Sequence, residues 1–218
     1  LTSTGYVRRD AKEAMKSKPA FYSFIRDNLP DYNLYCALRE AFRGGNTHAS
    51  RFYCGAIIPE VKSMDRSSSY PDVLVNRKFP IAGLIHRGPV SLERYLINTE
   101  KHNKAYLIRV AFFDIELADE FDGCPYLAKD KCRLIHEGIY DNGRILRAKY
   151  LETTLTDIDA RIVFKHYIWS DICIFDSWSG RYGYLPDEFR DLIKDYYCKK
   201  TALKGDPDQS AYYDKIKN

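Results

Sequence analysis

The chain has 218 residues, with 34 Lys and Arg against 30 Asp and Glu, a formal net charge of +4. Apolar residues make up 45%, enough to close a core, which excludes a disordered chain. No apolar run approaches the roughly 20 residues of a membrane span. The mild basicity suits a nucleic-acid partner, but it also suits many ordinary enzymes. Six scattered cysteines and no targeting leader argue against a disulfide scaffold and for a reducing cytosolic compartment.

In chain order, residues 5–17 are charged and helix-prone. Pro30 and Asp31 open the helical pattern YNLYCALREAF, with the proline expected at the first helical position and Gly44-Gly45 as the stop. Ile57 to Met64 reads as a strand that delivers Asp65; three serines, Tyr70-Pro71 and the short apolar run DVLVN follow. Residues 105–117, AYLIRVAFFDIEL, read as a buried strand. Residues 120–142 read as loop, ending at the turn Asp141-Asn142-Gly143. RILRAKYLETTL is a second strand, and Thr156 is placed to cap a helix with Asp159 at the capping-box position. SDICIFDSWSGRYGY is a further strand. Pro186-Asp187 opens a long amphipathic helix, and AYYDKIKN starts another beyond the turn GDPDQS. The expected fold is α+β, an antiparallel sheet with flanking helices followed by a helical hairpin.

Three constellations carry chemistry. Asp65, at a strand end, offers a carboxylate to an oxygen-seeking cation such as Mg²⁺. The serine turn behind it can present a nest of amides to phosphate. The plainer reading is an aspartate opening an ordinary turn. Lys200 and Lys204, four apart, share a helix face, and Lys217 lies across the turn. Together they suit a triphosphate, though a solvated lysine-rich face explains them as well. Phe42-Arg43-Gly44-Gly45 lets a backbone approach a phosphate chain closely, or simply ends a helix. Cys124, Cys132 and His136 lack the knuckle spacing and fourth ligand of a zinc site. Asp114 and Glu116 have the Asp-x-Glu spacing of a proofreading exonuclease, without its later carboxylates.

Asp65-Arg66-Ser67-Ser68-Ser69-Tyr70-Pro71 resembles motif A of family B DNA polymerases, Asp-x-x-Ser-Leu-Tyr-Pro. It matches at Asp65, Ser68, Tyr70 and Pro71 and departs at Ser69. Upstream, Phe42-Arg43-Gly44-Gly45 resembles the Tyr-x-Gly-Gly segment that joins exonuclease and polymerase parts. Downstream, Lys200, Lys204 and Lys217 resemble the fingers lysines, and Lys217-Asn218 the opening of motif B. Order and spacing agree over nearly the whole chain, and the short hairpin resembles the phage and prophage enzymes.

The resemblance implies junction helices over 1–50, a palm with an inserted segment over 51–186 and fingers over 187–218. It implies template-directed deoxynucleotidyl transfer with two Mg²⁺ ions, one held by Asp65 and the Arg66 carbonyl. Asp65 and Lys217 would be catalytic. Ser68, Ser69, Tyr70, Lys200, Lys204 and Lys217 would bind the nucleotide, Tyr70 excluding the 2′-hydroxyl. Arg43, Gly44 and Gly45 would touch DNA. The implied partners are a DNA primer–template, dNTP and a terminal protein or other replication factors, in the cytoplasm of a bacterium or phage-infected cell. Asp114 and Glu116 follow motif A, so the resemblance places them on a palm strand or in the inserted segment. Both chain ends read as cut, and motif C lies beyond Asn218, so the expectation is a piece of a longer enzyme, inactive alone. The alternatives are a non-catalytic nucleic-acid-binding module with a polymerase-like palm, and a reverse transcriptase.

Overall fold

A computed structural model describes residues 3–47, 49, 51–66, 68–81, 83–119, 124–204, 208 and 210. The chain divides into two compact units, each assembled from separated segments. One comprises Leu1–Leu29, Met64–Ala82 and Tyr182–Asn218; the other comprises Pro30–Ser63 and Gly83–Arg181.

The first unit is mainly helical. It contains α1 (Ser3–Met15), α2 (Pro19–Asp27), α4 (Ser69–Asn76), the two-residue strand β1 (Phe79–Pro80) and α7 (Asp187–Ala202). Helix α2, not expected from the sequence, begins with Pro19 in its first turn. The run from Ser69 to Asn76, expected as a turn and an apolar stretch, is helical. Pro71 is tolerated because it sits in the first turn, where an N–H has no partner within the helix. Arg190 of α7 donates from Nε to the Val75 carbonyl at 2.9 Å and lies over the Tyr184 ring at 4.7 Å. Phe21 of α2 stacks on Phe189 of α7 at 5.9 Å.

The second unit is a sheet with helices on both faces. Helix α3 (Tyr32–Ala41) starts two residues later than expected, leaving Pro30 outside it. Asp31, not Pro30, makes the start, its carboxylate accepting from the Leu34 amide at 2.8 Å. Ile57 to Met64 does not form the expected strand. Ile57, Val61 and Met64 are 98%, 72% and 93% exposed, and no neighbouring strand among the described residues takes up the backbone groups. The strand propensity of this run therefore has nothing to act on.

The remaining strands of this unit are β2 (Ile85–His86), β3 (Lys104–Leu117), β4 (Cys132–His136), β5 (Ile139–Asp141), β6 (Arg144–Thr156), β7 (Tyr167–Ile168) and β8 (Asp171–Gly183), whose last two residues pair with β1. All pairings are antiparallel, with β3 between β6 and β8 and β4 outside β6. From Ala105 to Phe112 β3 is apolar on nearly every residue because both its faces are covered there. Ile108, Val110 and Phe112 pack against α5 (Leu92–Leu96) and α6 (Asp157–His166), around Tyr95, Ala160 and Val163. Leu107 lies on the other face with Trp178, beneath Leu34, Ala37 and Ala41 of α3. The long strands at β3, β6 and β8 agree with their sequences.

Residues 132–141, expected as loop, instead form β4 and β5. Asn142 and Gly143, with φ of 50° and 76°, close a two-residue hairpin that returns β5 along β6. A register shift between Cys132 and Leu134 disturbs the alternation that would have marked β4. Asp114 and Glu116 both lie on β3 and are exposed, with Asp114 at φ 47°.

Candidate active site

Asp65 and Arg66 lead into α4, and Ser67 lies outside the described residues. Asp65 is exposed and has no hydrogen-bond or ion-pair partner among the described residues. Arg66 does not neutralise it: its guanidinium donates to Asp72 instead, while Asn76 Nδ2 donates to the other Asp72 oxygen at 2.7 Å. The Asn76 hydrogen bond and then the Arg66 charge hold the Asp72 carboxyl below its ordinary range, against some desolvation. Asp65 is thereby left as an open carboxylate.

Ser68 precedes the helix in the left-handed conformation, φ 53° and ψ 40°, and its hydroxyl makes no cap bond. For a residue with a side chain that conformation costs on the order of 1 kcal/mol. The Asp72 amide donates to the Ser68 carbonyl at 3.0 Å, closing the first turn. Pro71 has no N–H, so the Ser69 and Tyr70 amides are the ones left without acceptors inside the helix. A helix start of this kind attracts anions. Lys200, in the last turn of α7, donates from Nζ to Ser68 Oγ at 3.0 Å. A cation therefore stands at the mouth of the same turn.

Tyr70 is 80% exposed and lies about 200° around α4 from Asp72 on an ideal helix. A cleft of about 500 Å³ between α4 and α7 is lined by Ser68, Asp72, Asn76, Lys194 and Tyr197. Lys199 is ion-paired with Asp195 at 2.6 Å. Lys204 does not extend the face of Lys200 as expected, because α7 ends at Ala202 and Lys204 lies in the closing turn, its amide on the Thr201 carbonyl at 3.3 Å. Gly205 and Pro207 follow in the sequence, a combination that stops helices. Lys217, together with the helix expected around it, lies outside the described residues.

The glycine segment belongs to the second unit. Arg43 reaches inward, donating from Nη2 to Thr153 Oγ1 at 3.2 Å and the Thr154 carbonyl at 3.3 Å, with its guanidinium over the Tyr126 ring at 5.8 Å. Its Nε and Nη1 are buried without a hydrogen-bond partner. Gly44 and Gly45 are exposed, with open space where a Cβ would stand.

The helix end before them is fastened by a network the sequence does not advertise. Glu40 accepts two bonds from Arg109, at 3.1 and 3.2 Å, and one from Thr154 Oγ1 at 2.7 Å. Arg109 also bonds Asp176 at 3.5 Å and lies 5.3 Å from the Trp178 ring centroid. Burial alone would raise the Glu40 pKa, but the Thr154 and Arg109 hydrogen bonds outweigh it and hold the carboxyl below its usual range. Glu40 and Arg109 are 69 positions apart, so no local pattern announces them. By contrast, the i,i+4 pair Asp72 and Asn76 would have been legible once the run was known to be helical.

No protein-family model matches the sequence, and no curated protein does. Among solved structures the fold has clear likenesses. The phi29 DNA polymerase ternary complex with primer-template DNA and incoming nucleotide superposes with a TM-score of 0.74 at 17% identity, over 100% of this chain and 34% of that one. The post-translocation binary complex of phi29 polymerase gives 0.70 at 16% identity, again over 100% and 34%. The orthorhombic crystal form of that enzyme gives 0.68 at 17%, over 96% and 34%. The chain thus spans about a third of the length of the polymerases it resembles, and its α+β fold is like that region of them.

Proposed function

We propose that the chain is part of a DNA-directed DNA polymerase, with palm over 51–186 and fingers over 187–218, that transfers deoxynucleotides to a primer paired with template DNA. The observation that carries this reading is Lys200 Nζ at 3.0 Å from Ser68 Oγ, a cation at an open helix start directly after an unpaired carboxylate. Ser68, Ser69 and the Tyr70 amide would hold the phosphates of the incoming dNTP. Lys200 would turn from Ser68 to the triphosphate, with Lys204 and Lys217 as further cations. The Tyr70 ring would lie under the sugar and exclude a 2′-hydroxyl.

Asp65 and the Arg66 carbonyl suit Mg²⁺, which takes few protein ligands and keeps several waters; when bound, the two expected ions would stabilise the charge that develops as pyrophosphate leaves. No group of three acidic, histidine or cysteine side chains able to enclose a metal occurs among the described residues. The second reading, a nucleic-acid-binding module without catalysis, rests on the exposed Gly44-Gly45 segment. Gly44 and Gly45 would admit a DNA backbone closely, while Arg43 holds their segment against β6. A terminal protein or other replication factors, and a cytoplasmic setting, belong to the same proposal. No helix among the described residues is long and apolar enough to cross a membrane.

Primer extension by the complete gene product separates the readings. With Asp65→Asn, incorporation should fall by more than about a hundredfold, through loss of the charge that holds the metal, while far-UV circular dichroism stays unchanged. Tyr70→Val should raise ribonucleotide use relative to deoxyribonucleotide. Near-normal incorporation by a folded Asp65→Asn protein removes Asp65 from catalysis, and no extension by the unaltered protein favours the binding module.

A further inference from the structure

The sheet of the second unit has a face that α3 covers at one end only. On β3 the period of two places Leu107, Arg109, Ala111 and Phe113 on that face, and the pairing with β6 runs without a register shift from Leu107 to Phe113. Leu107 lies under α3 and Arg109 is tied to Glu40. Farther along, Phe113 stands opposite Tyr150 of β6, and Tyr150 stands opposite His136 of β4. The ring centroids are 5.1 Å apart for Phe113 and Tyr150 and 5.7 Å apart for Tyr150 and His136. Three rings thus form a row across three adjacent strands. Phe113 is 37% exposed, whereas its neighbour Phe112 is fully buried. The row borders an open depression of about 450 Å³ with Lys149 and Glu137 on its rim.

Aromatic pairs across strands stabilise sheets, but a third ring and an outward Phe exceed that need. The Tyr150 hydroxyl donates to Glu152 at 2.5 Å, which fixes the ring. The acids nearby are engaged: Asp114 accepts from Ser170 at 2.8 Å, Glu137 pairs with Lys149 at 3.5 Å, and Glu40 holds Arg109. Arg133 of β4, close enough to act electrostatically on Glu40, is exposed and has no hydrogen-bond or ion-pair partner among the described residues.

We propose that Phe113, Tyr150 and His136 form a stacking platform for unpaired bases of single-stranded nucleic acid, with Arg133 taking a backbone phosphate. A base can lie against an exposed ring only if its face is free, so a double helix is excluded and a single strand is the occupant. This inference rests on the polymerase reading, in which the template ahead of the primer is single-stranded.

The test is fluorescence anisotropy of a labelled oligo-dT, and of a labelled primer–template, with the 218-residue chain at fixed salt. Phe113→Leu and Tyr150→Leu should each weaken oligo-dT binding roughly five- to a hundredfold. Tyr150→Phe, which keeps the ring, should bind as the parent does, and Arg133→Ala should lower the salt dependence. Circular dichroism checks that each variant is folded. Unchanged oligo-dT binding by both leucine variants, with primer–template still bound, overturns the platform and leaves the polymerase reading intact. Failure of the unaltered chain to bind either nucleic acid counts against both.

Discussion

Two helix starts in this molecule are built in opposite ways. At α6 the Thr156 hydroxyl accepts from the Asp159 amide at 3.2 Å, and the Asp159 carboxylate accepts from the Thr156 amide at 3.1 Å. Asp157 and Asp159 are buried at 2% and 8% exposure, with Asp157 also accepting from the Tyr106 amide and from Arg161. Both halves of the capping box and both buried carboxylates there are satisfied by the chain itself. At α4 the corresponding residue, Ser68, is left-handed and makes no cap bond, and its hydroxyl serves the Lys200 ammonium from another helix. A satisfied helix start is architecture, whereas an open one beside a cation has unpaired amides that can receive an anion.

The comparison breaks most visibly at α6. Thr156→Ala removes a working cap and should destabilise the protein by about 1–2 kcal/mol, or roughly 2–8 °C in melting temperature for a chain of this size. Thermal denaturation followed by circular dichroism measures it. Ser68→Gly should not destabilise it. Glycine relieves the positive φ, worth about 1–2 kcal/mol, but gives up the Ser68–Lys200 hydrogen bond, worth about 0.5–1.5 kcal/mol, so stability should hold or rise by up to about 1 kcal/mol. A fall in melting temperature at Ser68→Gly would mean that the hydroxyl is structural, through Lys200 or as a cap.

A smaller effect concerns the anchor beneath Gly44-Gly45. Glu40 has a folded-state pKa below its unfolded value, so the folded protein binds fewer protons there. Its contribution is present above the ordinary glutamate range near pH ~4.3 and is lost as the pH falls through the lower folded value. Urea midpoints measured between neutral and acid pH should show that loss, and Glu40→Gln should flatten it.

Much of the second unit was legible because its signals are local. Thr156 and Asp159 are three residues apart, and β3 and β6 announce themselves as long apolar or alternating runs. The hairpin strands were hidden because a register shift near Cys132 breaks the alternation on which a strand is read. Ile57–Met64 misled for the opposite reason: its strand-like composition has no partner strand among the described residues. At the candidate site, the sequence marked Asp65, Ser68, Tyr70 and Lys200 by pattern. It did not show that Arg66 would turn to Asp72, or that Lys200 would meet Ser68 across 132 positions. Those contacts depend on the tertiary packing of α4 against α7. Arg43 also looked outward in sequence and points inward in structure, since the charge of a guanidinium does not reveal which way its stem packs.

Under the proposed function, the open start of α4 and Lys200 together receive a triphosphate. Calorimetric titration of dTTP with Mg²⁺ into the unaltered chain, Lys200→Ala and Lys199→Ala tests it most directly. Lys200→Ala should weaken binding roughly ten- to a hundredfold, the worth of one charge-assisted contact. Lys199, about 100° around the helix and paired with Asp195, should be replaceable with little effect. Equal, small losses at both lysines would contradict the account and reduce this face of α7 to a solvated row of charge.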